Sequence, residues 1–418
     1  MNTFVSSCRR FAARATFFAT ALAGSVFASE VSHWNAFSVG TTSAAMPDDP
    51  LSESRILAIV HLSMHDALNR IEARFGSFLD HPGTPVSASP EAAVASAARR
   101  AMVEYLPDQA AEVDAEFSER IQRLPQGAAV ERGIELGRAV AERVIAQRRD
   151  DGSAHASPRA AGSGRGEYQP TPPDFTPAVA SHWGDIVPFA LRSAVQFRPA
   201  PPPALESLRM KEDCDDVREV GGLVSHRRTP EQSEIAKYWY EHSTRGWNRI
   251  ARTLCSSRGM DLWDEARFLA LVNVAMADGF IAGFEAKYHY YRWRPATAVR
   301  VEGAADWLSF LPTPPVPDYP STHTVLGAAA ATAMARLLRT DYVTFEMTSG
   351  APYPGITRRF WCLSQAAREN GASRVLAGLH FNCAVEAGYT QGAQVGEWAV
   401  QSLLQPLRPV GVSVTLGE

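Results

Sequence analysis

Residues 264–293 read DEARFLALVNVAMADGFIAGFEAKYHYYRW, and this stretch decides the architecture. It is far longer than a strand, and its apolar residues occupy more than one face at a helical period. That pattern predicts a central helix with other elements packed around it. Arg294-Pro295 follows directly; the proline disfavours helical geometry at Arg294 and ends or bends the helix there.

Outward from this segment the chain is helical in both directions. Toward the N-terminus, residues 52–75 are amphipathic with a period near 3.6, and 89–106 open on Ser89-Pro90, a capping hydroxyl followed by proline at the first helical position. Residues 108–124 and 128–150 follow, divided by Pro125-Gln126-Gly127, as antiparallel helices of a bundle. From 152 to 205 the periodicity fades into Gly, Ser and Pro, with QPTPP at 169–173 and RPAPPP at 198–203. Tyr168, Phe175, Trp183, Phe189 and Phe197 are too many aromatics for a free linker, so this extended connection is expected to lie on the protein. A second helical set begins at Thr229-Pro230, where Gln232 completes a capping box; helices near Ala328 and Ala384 complete it. The one clear strand signal is GVSVTL at 411–416.

The fold class expected is therefore all-α. An N-terminal bundle over 29–151 and the extended connection over 152–205 precede a C-terminal bundle over 206–418. The first 28 residues stand apart: Arg9, Arg10 and Arg14, then the apolar FFATALAGSVFA, ending in small residues. This is the pattern of a signal peptide cut after Ala28, which places the chain in the periplasm or outside the cell. Cleavage would take the formal charge from −4 to −7 by removing those three arginines. No long basic tract suits nucleic acid, and no later stretch has the unbroken apolar length of a membrane span. An exported chain permits one or two disulfides among Cys214, Cys255, Cys362 and Cys383, or four thiols; no close pair has zinc-site spacing. No segment fixes an oligomeric state.

Three segments place cations or histidines among apolar and aromatic residues. In KYHYYRWRP (287–295), Lys287 and Arg294 are seven apart, the spacing of two helical turns on one face. In PSTH (320–323), Ser321 opens the Ala-rich run, where helix-start amides present unpaired donors to an anion, and His323 falls in the first turn. In SRVLAGLHFNCA (373–384), Ser373 is a candidate cap, with Arg374 and His380 six apart. Each alone has an ordinary structural explanation. Together, Lys287, Arg294 and Arg374 require an anion to be buried side by side. Two planar guanidinium forks, a point charge and two imidazoles are the inventory of a phosphate or vanadate pocket.

On these residues the sequence resembles the vanadium-dependent haloperoxidases and type-2 phosphatidic acid phosphatases. Their signature is Lys, six residues, Arg-Pro; Pro-Ser-Gly-His; then Ser-Arg, five residues, His, three residues, Asp. Thr322 stands in the glycine position and Ala384 in the Asp position. Segments such as HLSMHDALNRI, WGDIVPFAL and LHFNCAVEAG are closest to the soluble bacterial haloperoxidase-like branch. The resemblance implies two four-helix-bundle-like halves and a vanadate held by Lys287, Arg294, Arg374, Ser321 and the Thr322 amide. It makes His380 the axial metal ligand and His323 the acid–base residue, with Lys287 donating to bound peroxide. Hydrogen peroxide would then oxidise a halide or halogenate a small organic substrate. Phosphate can occupy the same cage. A periplasmic acid phosphatase working through a phosphohistidine at His380 is the alternative, and a weak or inert oxyanion-binding relative is a third. Asp at 384 would orient the histidine ring and Ala384 cannot, which counts against the phosphatase. Two further candidates lie outside the signature: the His61–His65 pair beside Asp66, which is better read as a contact within the bundle than as a metal site, and Asp278 as a partner for a cage arginine.

Overall fold

The computed structural model describes residues 29–80, 85–155 and 159–407. The leader pattern at 1–28 and the strand signal at 411–416 lie outside them. Thirteen α-helices, two short 3-10 helices and one hairpin make up the regular structure of the described residues, so the protein is predominantly α-helical.

Five helices come first: α1 (Glu30–Ala45), α2 (Pro50–Ile71), α3 (Pro90–Tyr105), α4 (Ala110–Gln122) and α5 (Ala128–Arg148). Their starts follow local chemistry. Asp49 accepts the Ser52 amide ahead of Pro50, and Ser89 accepts the Ala92 amide ahead of Pro90. The later helices are α6 (Leu208–Val220), α7 (Pro230–Tyr238), α8 (Ser243–Arg258), α9 (Leu262–Tyr290), α10 (Pro295–Val301), α11 (Thr322–Leu338), α12 (Leu363–Leu376) and α13 (Asn382–Ser402). The capping box at α7 is reciprocal: Gln232 N donates to Thr229 Oγ1 at 3.2 Å and Thr229 N to Gln232 Oε1 at 2.9 Å. Helix α1 and the hairpin β1 (Phe345–Thr348) with β2 (Thr357–Phe360) were not anticipated.

The long stretch quoted first is α9, and it packs against α2, α11 and α13. By length and hydropathy α9 would qualify as a membrane span, contrary to the sequence reading, but 94% of its most apolar window is buried inside the fold. One continuous apolar core joins Trp34, Ile59, Met102 and Val144 from the first five helices to Leu269, Met276, Leu326 and Val395 from the later ones. All four cysteines of the described residues are free thiols, so no disulfide staples the fold.

Close approach of α11 and α13 fixes where the site residues start. A Cβ on Gly388, Gly392 or Gly396 would lie 2.6, 2.1 or 2.3 Å from the carbonyl oxygens of Ser321, Val325 and Ala329. The glycine at every fourth position of α13 therefore lets the two backbones touch. At their joint beginning Ser321 N donates to Ala384 O at 2.9 Å.

Among its described residues, the connection over 152–205 holds one short 3-10 turn, Ser181–Asp185, and otherwise runs through irregular turns with Tyr168, Trp183 and Phe189 buried. Asp278, fully buried on α9, anchors it. Its carboxylate accepts the Phe189, Ala190 and Leu191 amides at 2.7, 2.7 and 2.9 Å. Asp278 thus serves a loop and not a cage arginine; no distant backbone amide carries a sequence signal. Replacing Asp278 with Ala is expected to destabilise the fold by on the order of 3 kcal/mol, because each orphaned buried donor costs about 1–3 kcal/mol. Urea unfolding checks this, and a shift in the free energy below about 1 kcal/mol would contradict the anchor.

Candidate oxyanion site

Lys287 and Arg294 do not share two turns of one helix. Helix α9 ends at Tyr290, Tyr291 takes a left-handed conformation (φ 51°), and Arg294 is the N-cap of α10 with Pro295 at its first position. The break, not helical periodicity, brings the two cations together. Both are fully or almost fully buried. Lys287 Nζ donates to the carbonyls of Pro317 (2.6 Å) and Asp318 (2.9 Å). Arg294 donates from Nε to Val316 O (2.6 Å), from Nη2 to Pro314 O (3.3 Å) and from Nη1 to Leu379 O (2.7 Å).

Arg374 arrives from the other side. It lies in the last turn of α12, not at a helix start, and Ser373 is interior to α12, donating to Asn370 O at 2.6 Å instead of capping. Arg374 is buried, its guanidinium 5.7 Å from the Tyr240 ring centre, and its Nε and Nη1 have no partner. Burial, then Arg294 and Arg374, holds the Lys287 ammonium well below its ordinary range, with only Asp318 opposing. Burial likewise lowers Arg374 to about 10.

The two histidines flank this cluster. His380 sits in the short link between α12 and α13, so it is not on a helical face with residue 384. Its Nε2 lies 3.0 Å from Arg294 Nη1 and its Nδ1 2.9 Å from Asp318 Oδ1. A guanidinium only donates, so Nε2 is the lone-pair nitrogen and Nδ1 carries the proton. Burial, then Arg294, Lys287 and Arg374, keeps the ring neutral. His323, in the first turn of α11, has Nδ1 3.2 Å from Ser243 Oγ, while its buried Nε2 has no partner. Burial and then Arg374 keep it neutral too.

Ser321 is the N-cap residue of α11, but its side chain caps no amide and instead accepts from Thr324 Oγ1 at 2.9 Å. The first-turn amides of α11 are left without a side-chain cap. Thr322 turns its methyl toward α9, where Gly283 makes room: a Cβ there would lie 2.6 Å from Thr322 Cγ2. The threonine methyl is accommodated against a helix.

The seven residues singled out in the sequence thus fall at the α9–α10 break, the α11 start and the α12–α13 link. Sequence reasoning missed Asp318 and Ser243. It assigned the missing histidine partner to position 384, whereas the carboxylate that meets the ring comes from the turn ahead of Ser321. Glu386, the other acid near 384, pairs with Arg209 at 2.7 Å. His61 and His65 belong to bundle contacts: His61 Nε2 accepts from Asn35 Nδ2 at 2.7 Å, and His65 Nδ1 lies 3.0 Å from Asp66 Oδ1. No group of three metal-binding side chains occurs among the described residues.

The unpaired nitrogens test what the cluster can hold. Arg374 Nε and Nη1 are buried donors, and His323 Nε2 is a third unpartnered nitrogen. Lys287 and Arg294 add buried positive charge, and His380 Nε2 adds a lone pair. A tetrahedral or trigonal-bipyramidal oxyanion answers all of these; a cation answers none but the last.

The second helical-bundle domain of vanadium chloroperoxidases matches residues 267–409. The vanadium chloroperoxidase of Curvularia inaequalis is 32% identical over 169 aligned residues, covering 31% of this chain and 28% of that protein. The matched region is thus little more than a quarter of the fungal enzyme's length. A bacterial vanadium-dependent iodoperoxidase has the same fold at a TM-score of 0.79 and 25% identity, over 90% of this chain and 97% of that one. An apo bacterial vanadium-dependent chloroperoxidase superposes with a TM-score of 0.72 at 18% identity, over 85% and 93% of the two chains.

Proposed function

We propose that this chain, which belongs to the superfamily of vanadium-dependent haloperoxidases and type-2 phosphatidic acid phosphatases, is a vanadate-dependent haloperoxidase using hydrogen peroxide to oxidise a halide or halogenate a small organic substrate. The observation that carries the proposal is the buried trio of Lys287, Arg294 and Arg374 beside a neutral His380 whose lone-pair nitrogen faces them. Bound vanadate would supply a Lewis acid that activates peroxide without changing its own oxidation state.

The protein's own groups have separable tasks. Lys287, Arg294 and Arg374 hold the oxyanion, together with Ser321 and the Thr322 amide. His380 offers Nε2 as the single metal-binding nitrogen. His323 holds or releases a proton at Nε2, which has no hydrogen-bond partner. Burial of the cluster excludes bulk water and strengthens each of these contacts. We further propose two four-helix-bundle-like halves, 29–151 and 206–418, joined by the 152–205 connection, and export to the periplasm or beyond after cleavage at Ala28.

One observation favours a second reading. The Asp318–His380 contact gives the ring the orientation that a histidine nucleophile needs, so Ala384 does not count against an acid phosphatase. In that reaction His380 Nε2 would attack phosphorus, His323 would protonate the leaving alkoxide, and water would release phosphate.

Reconstitution distinguishes them. The chain is incubated with orthovanadate and peroxide, and halogenation of an indicator dione is followed with iodide, bromide and chloride. Vanadate-dependent turnover that inorganic phosphate suppresses is expected. Turnover of an activated phosphomonoester without vanadate, inhibited when vanadate is added, would replace this reading with the phosphatase.

A further inference from the structure

We infer that Asp318 is the positioning residue of His380, setting which ring nitrogen faces the oxyanion, and that it takes over the task that a carboxylate at position 384 would perform. The inference rests on the vanadate reading for what His380 binds, but the ring orientation is a property of the protein alone.

Asp318 lies in the turn Pro317-Asp318-Tyr319-Pro320 immediately ahead of α11 and is 1% exposed. Every polar group of it that the structure pairs serves the site. Its side chain accepts from His380 Nδ1 at 2.9 Å, its carbonyl accepts from Lys287 Nζ at 2.9 Å, and its amide donates to Arg292 O at 3.0 Å. Its one side-chain contact joins segments 62 residues apart. Position 384 is an alanine in the first turn of α13, fully buried, its carbonyl taken by Ser321 N.

Electrostatics separates orientation from simple charge. Burial pushes the Asp318 carboxyl up to about 7, while Arg294, Lys287 and Arg292 favour its ionised form. In its ionised form it opposes capture of any oxyanion. Its benefit must therefore come through the ring, by holding the proton on Nδ1 and the lone pair on Nε2. The two effects have opposite signs for a ligand that bonds to His380 and for one that only sits in the cage.

Vanadate and inorganic phosphate are those two probes. Binding of each to the full chain is measured by titration calorimetry for the natural protein, Asp318→Ala and Asp318→Leu, the leucine keeping the buried volume filled. Vanadate affinity is expected to fall about 10–100-fold in both variants, as for other residues that orient a metal-binding histidine. Phosphate affinity is expected to stay equal or rise. In the metal-free protein, ¹⁵N shifts of labelled histidine should report a single Nδ1–H tautomer for His380 that becomes mixed in both variants, while Asp318→Asn, which keeps an acceptor oxygen, should retain it. Parallel loss of vanadate and phosphate would make Asp318 merely structural and overturn the inference, as would unchanged vanadate affinity. If the natural protein bound phosphate but not vanadate, the vanadate reading would fall; the tautomer would then decide, and one that survives in Asp318→Leu would overturn the role given to Asp318.

Discussion

Replacing His380 by alanine is expected to abolish peroxide-dependent halogenation, lowering kcat/KM by about 1000-fold or more, equivalent to ~4 kcal/mol of transition-state stabilisation. The reason is specific to Nε2. The three cations satisfy oxyanion charge, and the first-turn amides of α11 add donors, but it is His380 Nε2, beside Arg294 Nη1, that offers the lone pair to the metal. Phosphate, which needs the cage and not the ligand, should still bind within about tenfold of the natural affinity, a change worth no more than ~1.4 kcal/mol. His380→Gln is the companion variant, because it fills the space without a ring nitrogen. Halogenation by either variant at a tenth of the natural rate or better would remove His380 from the reaction, whatever else the cage does.

Much of this site is local in sequence, and that part was readable. Ser89 and Thr229 cap helices because a hydroxyl three residues from an amide makes its bond within one turn. Lys287 and Arg294-Pro295 were singled out for the same reason, although the helical geometry assumed between them was wrong: Tyr291 breaks α9 in between. Asp318 was missed because its partner is 62 residues away and a lone acid in a proline-rich turn has no period. Its presence immediately ahead of PSTH was the available signal. Helix α1 was missed because its buried face mixes Val31, Trp34 and Val39 with polar side chains. Asn35, Ser38 and Thr42 are inside, where Asn35 bonds His61 and Asn248 and the two hydroxyls bond backbone carbonyls, so the apolar stripe is broken by polar positions. The hairpin was invisible because each strand has only four residues, with Phe345 and Met347 alone pointing inward on the first.

Arg294 is the residue where fold and chemistry coincide, and Arg294→Met is expected to damage both. Its guanidinium holds the carbonyls of Pro314, Val316 and Leu379, all belonging to segments that carry Asp318 or His380. Removing it orphans buried acceptors at about 1–3 kcal/mol each. It also relieves repulsion, since Arg294 lowers the Lys287 pKa second only to burial, and this relief offsets part of the loss. The acceptors outnumber the relieved repulsions, so a net loss on the order of 3 kcal/mol in unfolding free energy is expected. Binding should suffer by a comparable amount: with one of two guanidinium forks gone, phosphate affinity is expected to drop by about 100-fold, ~2.7 kcal/mol. Thermal unfolding with and without millimolar phosphate measures both terms at once. Phosphate should raise the midpoint of the natural protein and leave that of Arg294→Met almost unmoved, since stabilisation follows ligand concentration over Kd. Arg294→Lys should restore charge but not the fork, recovering less than half of the phosphate-induced shift. Equal protection of all three proteins would mean that the anion sits elsewhere and that Arg294 is a staple for the 314–318 turn alone.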